Sequence, residues 1–209
     1  MGGPAGDRLV ALAPALRVAG RRFGTPVYVT DAAALDAAAS TVRAAFPDPW
    51  LRAYSLKAND LPALVARIAA QGFGANVVSR GEWALARRAG IPNAAITLEG
   101  IGKTDADLRA AARAAAEGEP LRWVAIESAD EAAALARAVL AARRRIGSDD
   151  GPALRVDALV RLNPAVEPET QAGLATGSRA SKFGVSSDEV GPLFEAGGGP
   201  DGPIHWRGL

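Results

Sequence analysis

The sequence predicts an α/β protein built on a parallel sheet. Short apolar stretches of strand length alternate with Ala-rich stretches of helix length from Arg52 to Leu209, and Asp, Ser or Thr stands at most strand-to-helix junctions, where a helix needs a cap. No break in composition divides the 209 residues. Counting from Arg52, the order is strand then helix five times over, followed by a sixth strand. That pattern fits either an open doubly wound sheet or part of an eight-stranded barrel.

After a Gly/Pro-rich start, Pro26–Thr30 reads as a short strand, and Asp31 opens a helix that Pro47 and Pro49 stop after Phe46. Arg52–Lys57 follows as a strand whose alternation puts Ala53, Ser55 and Lys57 on one face and Tyr54 and Leu56 on the other. Asp60 is the expected cap of a helix with Pro62 in its first turn, running to Gln71. Strands are expected at 74–78, 94–98 and 122–126, and helices at 79–90, 104–116 and 128–145. Leu154–Leu162 carries the Val/Leu pattern of a strand buried on both faces. Asn163–Ala180 is a loop too long for a plain connector, and 186–196 is a helix leading through a Pro/Gly linker to a strand at 204–209.

Composition excludes several classes of function. With 24 basic against 23 acidic residues, the chain has no field to gather nucleic acid or an anionic membrane. It has no cysteine and one histidine, His205, which rules out thiolate chemistry and histidine metal clusters within these residues. No apolar run reaches the roughly 20 residues of a membrane span. Leu9–Leu16 is a poor signal-peptide core, with Asp7 before it, Pro14 inside it and Arg17, Arg21 and Arg22 after it, so a cytoplasmic protein is expected.

Lys57 stands at the carboxyl end of its strand, the edge at which parallel barrels build active sites, although a lysine there can equally be a solvated surface residue. Thr97–Thr104 ends in Gly-Lys-Thr but has threonine where a phosphate loop needs its first glycine, and it reads better as a turn capped by Thr104. Ser79 and Glu82 have capping-box spacing, as do Ser128 and Glu131. The first pair follows Val77-Val78, at the same edge as Lys57, and is a site candidate; Glu131 reads as a cap alone. Arg161 lies in a strand expected to be buried, where a guanidinium needs a carboxylate or another anion. Together with Lys182 and Lys57 it could supply cationic groups around one pocket.

In order and at similar spacing, Phe23-Gly-Thr-Pro-Val-Tyr-Val29, Tyr54-Ser-Leu-Lys-Ala-Asn59, Gly72-Phe-Gly-Ala-Asn-Val-Val-Ser-Arg-Gly-Glu82, Gly102-Lys-Thr104, Arg161-Leu-Asn-Pro164, Thr176-Gly177 and Ser181-Lys-Phe-Gly-Val185 resemble the fold-type III pyridoxal-phosphate decarboxylases, and among them the diaminopimelate-decarboxylating group. The resemblance implies a TIM-like (β/α) barrel, with residues 1–30 carrying a strand of a separate β-domain and residues 31–209 forming about six of the eight barrel strands. It implies pyridoxal 5'-phosphate as cofactor, Lys57 as the lysine that forms its Schiff base, and Asn76, Ser79, Glu82 and Arg161 as cofactor-binding positions. It also implies a small amino acid as substrate, meso-diaminopimelate first, and a homodimer at full length. Alanine racemases share the barrel but follow their lysine with a different motif from the Asp60-Leu-Pro62 found here.

Two departures stand out. The family has an acidic residue where this chain has Asn76, and often histidine where it has Gln171. A carboxylate restored at position 76 is accordingly expected to raise turnover. The family's ring-stacking histidine, glycine-rich phosphate loop and ring-nitrogen partner follow the sixth strand, so the chain reads as an N-terminal portion, and these 209 residues alone are expected to be inactive and to associate through an open sheet edge. Decarboxylation of ornithine, arginine or another basic amino acid, and a non-catalytic binding relic, are the competing readings.

Overall fold

In a computed structural model of the chain, the structure describes residues 4–147, 154–166 and 182–209, with side chains from residue 8 onward. It divides into two compact units, 1–41 and 42–209. The first contains helix α1 (Pro4–Phe23), which spans the start expected to be irregular. Leu, Ala and Arg favour a helix there strongly enough to carry Pro14 within it. Pro26–Thr30, expected as a strand, forms no regular element and pairs with no described strand, and a strand exists only where a neighbour takes up its backbone hydrogen bonds. Asp31 caps α2 (Ala32–Ala45) as expected, its carboxylate accepting from the amides of Ala33 and Ala34.

The second unit is a six-stranded parallel sheet in sequential order: β1 (Ala53–Ser55), β2 (Gly74–Val77), β3 (Ile96–Leu98), β4 (Trp123–Ile126), β5 (Val156–Val160) and β6 (Ile204–Gly208). Helices α3 (Pro62–Ala69), α4 (Arg80–Arg88), α5 (Asp105–Ala116), α6 (Ala129–Ile146) and α7 (Val190–Ala196) fill the crossovers. Sequential order without reversal is the order of a barrel wall; a doubly wound sheet would fold back on itself at a switch point. Among the described strands, β1 and β6 are each paired on one side only.

The two faces of the sheet are chemically distinct. Leu56, Ala75, Val77, Ile96, Leu98, Val124, Ile126, Ala158, Val160 and Ile204 are buried together with Leu108, Leu135 and Val139 from the helices, and form the core. The alternate positions are polar at β1 to β3 and mixed further along, where Trp123, Ala125 and Leu159 share the face with Asp157 and His205. The register pairs Ser55 with Asn76, Asn76 with Thr97, Thr97 with Trp123 and, further along the row, Asp157 with His205. Gly74 is fixed by the same close pairing, because a β-carbon there would lie 2.2 Å from the carbonyl oxygen of Ala95.

Serine and threonine caps end the strands as the sequence predicts. Ser79 accepts from the amide of Glu82, and Ser128 from that of Glu131. Thr104 and Asp107 form a full capping box on α5. The α3 helix differs: Asp60 is not its cap, and Asn59 instead accepts from the Leu61 amide while Pro62 occupies the first turn.

Burial alone would push the Asp107 carboxyl up. Hydrogen bonds from the Thr104 hydroxyl and amide, both 2.7 Å, with Arg80 3.1 Å away, outweigh burial and hold it below the ordinary range. Since the folded pKa is the lower one, unfolding takes up a proton in the interval between the two values, so this stabilisation is complete above the unfolded carboxylate value and is lost as the pH falls through the folded one. Thr104→Ala is predicted to cost about 1 kcal/mol in urea unfolding at pH 7. Asp107→Asn should destabilise at pH 7, with the gap to wild type closing below about pH 4.

Candidate active site

Lys57 does not lie in β1. The strand ends at Ser55 and the chain turns into one 3₁₀ turn, Leu56–Ala58, so that Leu56 is anchored in the core and Lys57 stands exposed beside it. Leu56 is the pivot: its burial fixes the turn that carries Lys57 past the carboxyl end of the sheet. Among the described residues, none hydrogen-bonds or ion-pairs with the Lys57 amine. Tyr54 steadies the far side of the turn, its hydroxyl donating to the Asn59 carbonyl at 3.1 Å.

Asn76 sits in the middle of a hydrogen-bonded row crossing three strands. Ser55 Oγ donates to Asn76 Oδ1 at 3.2 Å, Asn76 Nδ2 donates to Thr97 Oγ1 at 3.1 Å, and Thr97 Oγ1 donates to Glu99 Oε1 at 3.2 Å. Thr97 is almost fully buried; Ser55, Asn76 and Glu99 are half-buried. Ser79 and Glu82 stand where predicted, at the carboxyl end of β2, and both are engaged in capping: Glu82 Oε2 accepts from the Val78 amide at 2.8 Å.

Arg161 follows β5, half-buried, and finds the carboxylate that its position demands. Its Nη1 lies 3.2 Å from Glu127 Oε1, and its guanidinium stacks 4.7 Å from the centre of the Phe183 ring, on which Lys182 also rests. Glu127 receives the Gly184 amide as well. Gly184 has a φ of 71°, and a β-carbon there would lie 2.7 Å from the Arg161 carbonyl, so glycine is required where this segment crosses Arg161. Arg161 and Lys182 therefore meet around Phe183. Lys57 follows β1, and three strands separate it from β5 in the sheet order. Gln171 and Thr176-Gly177 lie outside the described residues.

One charged cluster escaped the sequence reading. Lys103, the lysine of the Gly-Lys-Thr turn, is fully buried, 3.0 Å from Glu131 and 3.8 Å from Glu127, and donates to the Gly100 carbonyl. It is committed to carboxylates rather than held out towards a phosphate. Glu131, read as a cap alone, donates its amide to the capping Ser128, while its carboxylate accepts from the Glu127 amide and also holds this lysine. Burial raises its carboxyl above the ordinary range despite the Lys103 charge. A cavity of about 370 Å³ lined by Lys103, Glu127, Glu131 and Lys182 opens beside the cluster. The cluster ties together the ends of β3, β4 and β5. Nothing in local spacing announces it, because its members lie on separate crossovers.

Two substitutions test this geometry. Lys103→Met leaves the Glu131 carboxylate without its cation and Glu127 with Arg161 alone, and is predicted to cost about 3 kcal/mol in urea unfolding. Asn76→Asp, which the sequence favours for turnover, meets a specific cost in the structure: the single Thr97 hydroxyl proton already goes to Glu99, so a carboxylate at 76 faces Thr97 without a donor. A loss of about 1–3 kcal/mol is expected, and unchanged stability would show that the row rearranges freely.

Comparison with known proteins places these features in a family. Residues 32–197 match the pyridoxal-binding domain of the pyridoxal-dependent decarboxylases. The chain is similar to the diaminopimelate decarboxylases of Aquifex aeolicus, at 36% identity over 86% of this chain and 39% of that protein, and of Deinococcus radiodurans, at 38% identity over 87% and 42%. It therefore spans about two fifths of the length of these relatives. A crystal structure of diaminopimelate decarboxylase from Helicobacter pylori complexed with L-lysine superposes with a TM-score of 0.69 at 25% identity, over 87% of this chain and 44% of that one. The matched region includes Lys57, the polar row and the Arg161–Glu127 pair, and on it the chain belongs to the pyridoxal-dependent decarboxylase family, of which it carries the pyridoxal-binding domain.

Proposed function

We propose that the protein, at full length, is a pyridoxal-phosphate-dependent decarboxylase of meso-diaminopimelate that acts in the cytoplasm as a homodimer, with residues 31–209 supplying about six of the eight strands of the barrel and residues 1–30 an N-terminal segment of a separate β-domain. The observation that carries this reading is the exposed amine of Lys57, without a partner among the described residues, just past the carboxyl end of β1. The fit to an aldehyde cofactor lies in the donor set: a primary amine with no competing carboxylate among the described residues, next to neutral hydrogen-bonding groups. When bound, pyridoxal phosphate supplies the electron sink that accepts the electrons left as carbon dioxide departs.

The chain's own residues bind, orient and exclude water. Lys57 would hold the cofactor through its amine. Asn76, held on both sides by Ser55 and Thr97, would offer a neutral amide to the bound group. Ser79 and Glu82 fix the first turn of α4, where backbone amides and the positive end of the helix dipole favour an anionic group. Arg161 keeps donors available beyond the one committed to Glu127, which suits a carboxylate or phosphate oxygen. The substrate assignment is supported by the relatives at 36% and 38% identity, both diaminopimelate decarboxylases.

The test is made on the full-length protein. Borohydride reduction with pyridoxal phosphate is expected to leave the adduct on the peptide containing Lys57, and carbon dioxide should be released from meso-diaminopimelate in preference to ornithine or arginine. Lys57→Ala should abolish both adduct and release. An adduct on Lys182 with Lys57 unmodified, or release from ornithine alone, would contradict the assignment.

A further inference from the structure

We propose that Ser55 receives the amine of Lys57 on the polar face of the sheet, and that Glu99, acting through Thr97 and Asn76, keeps Ser55 in the hydrogen-bond-accepting state that this requires. The inference rests on Lys57 being the cofactor lysine.

The direction of the row carries the argument. Glu99 ends it with a carboxylate, which only accepts. Thr97 must then spend its one hydroxyl proton on Glu99, which leaves its oxygen to accept from the Asn76 amide nitrogen. That orients Asn76 with its carbonyl oxygen towards Ser55, and Ser55 spends its own proton there. Every donor points towards Glu99, so the Ser55 oxygen is left with lone pairs alone, and among the described residues nothing donates to them. Two residues on, at the same edge, stands the Lys57 amine, which carries protons to donate and has no partner among the described residues. Successive bonds in one direction also polarise one another, which strengthens the acceptor at the head of the row.

Position 99 therefore matters for its inability to donate. Glutamine has nearly the same shape and can donate to Thr97. The row is then free to reverse: Thr97 donates to a flipped Asn76, Asn76 donates to Ser55, and Ser55 turns its proton towards Lys57. Ser55 meets the reacting nitrogen only as the hydrogen-bond acceptor that positions it, and Glu99, which does not touch it, sets the polarity of Ser55.

The experiment uses the full-length protein and two probes. Pyridoxal 5'-phosphate can bond to Lys57; pyridoxine 5'-phosphate, with an alcohol in place of the aldehyde, can only dock. The rate of capture at Lys57 is read by borohydride quenching and peptide mass spectrometry, and docking by fluorescence titration. Ser55→Ala and Glu99→Gln are each expected to slow capture about 10-fold while pyridoxine phosphate affinity stays unchanged. The double variant should be no slower than the slower single variant, since both break one series. Ser55→Thr, which keeps the hydroxyl, should restore the rate, and comparison with Ser55→Ala decides the matter even if Glu99→Gln folds poorly. Wild-type capture rates in both Ser55→Ala and Glu99→Gln, a parallel loss of pyridoxine phosphate affinity, or multiplicative effects would overturn the inference. Capture by the wild type at another lysine would overturn the cofactor reading and this inference with it, a result distinct from normal capture by all the variants.

Discussion

The in-register parallel pairing of β1, β2 and β3 is the constraint on which the rest of the site depends. Because side chains alternate between faces, a single register puts Leu56, Val77 and Leu98 into the core while aligning Ser55, Asn76 and Thr97 on the opposite face. A slip of one residue in β2 would bury Asn76 among the helices and present Val77 to the site. The hydrophobic core thus specifies the polar row as well as the fold, and the close approach at Gly74 leaves no room for an alternative.

Two kinds of polar structure divide the carboxyl edge of the sheet. At β3 to β5 the charges are satisfied internally: Lys103 with Glu131, Arg161 with Glu127, and the Gly184 amide closing the latter. Such a network holds crossovers in place and leaves little charge to spare. Past β1 and β2 the hydrogen-bonded row is neutral at Ser55 and Asn76, Arg80 is paired with Asp107, and Lys57 is unpaired among the described residues. A structural lysine in this edge looks like Lys103, buried and shared between carboxylates; a lysine kept available for chemistry looks like Lys57. The same sheet holds both, and burial with partners tells them apart.

Much of this was legible in the sequence because the signals are local. Ser79, Thr104 and Ser128 were readable as caps three residues before an acid, and the alternation of strand and helix set the parallel order without any contact information. The exact reach of β1 was not, since strand and 3₁₀ turn place Lys57 at the same edge and only the burial of Leu56 tells where the chain turns. Pro26–Thr30 has the residues of a strand, but pairing is not a property of five residues. The Ser55–Glu99 row was missed for a related reason. Each member looks unremarkable in its own segment, Ser55 as a small residue and Thr97 as part of a failed phosphate loop, and register alone makes them neighbours. Lys103 and Glu131 lie on separate crossovers and meet only when β3 and β4 pair.

The central claim is that the polar face at the end of β1 is where the cofactor sits, with Lys57 as its covalent anchor. A crystal structure of the full-length protein grown with pyridoxal 5'-phosphate tests it most directly. The account predicts continuous density from Lys57 Nζ to the cofactor, with the ring lying over the row of Ser55, Asn76 and Thr97. Density joined to Lys182, or a cofactor seated in the cavity beside Lys103 with Lys57 free, would contradict it.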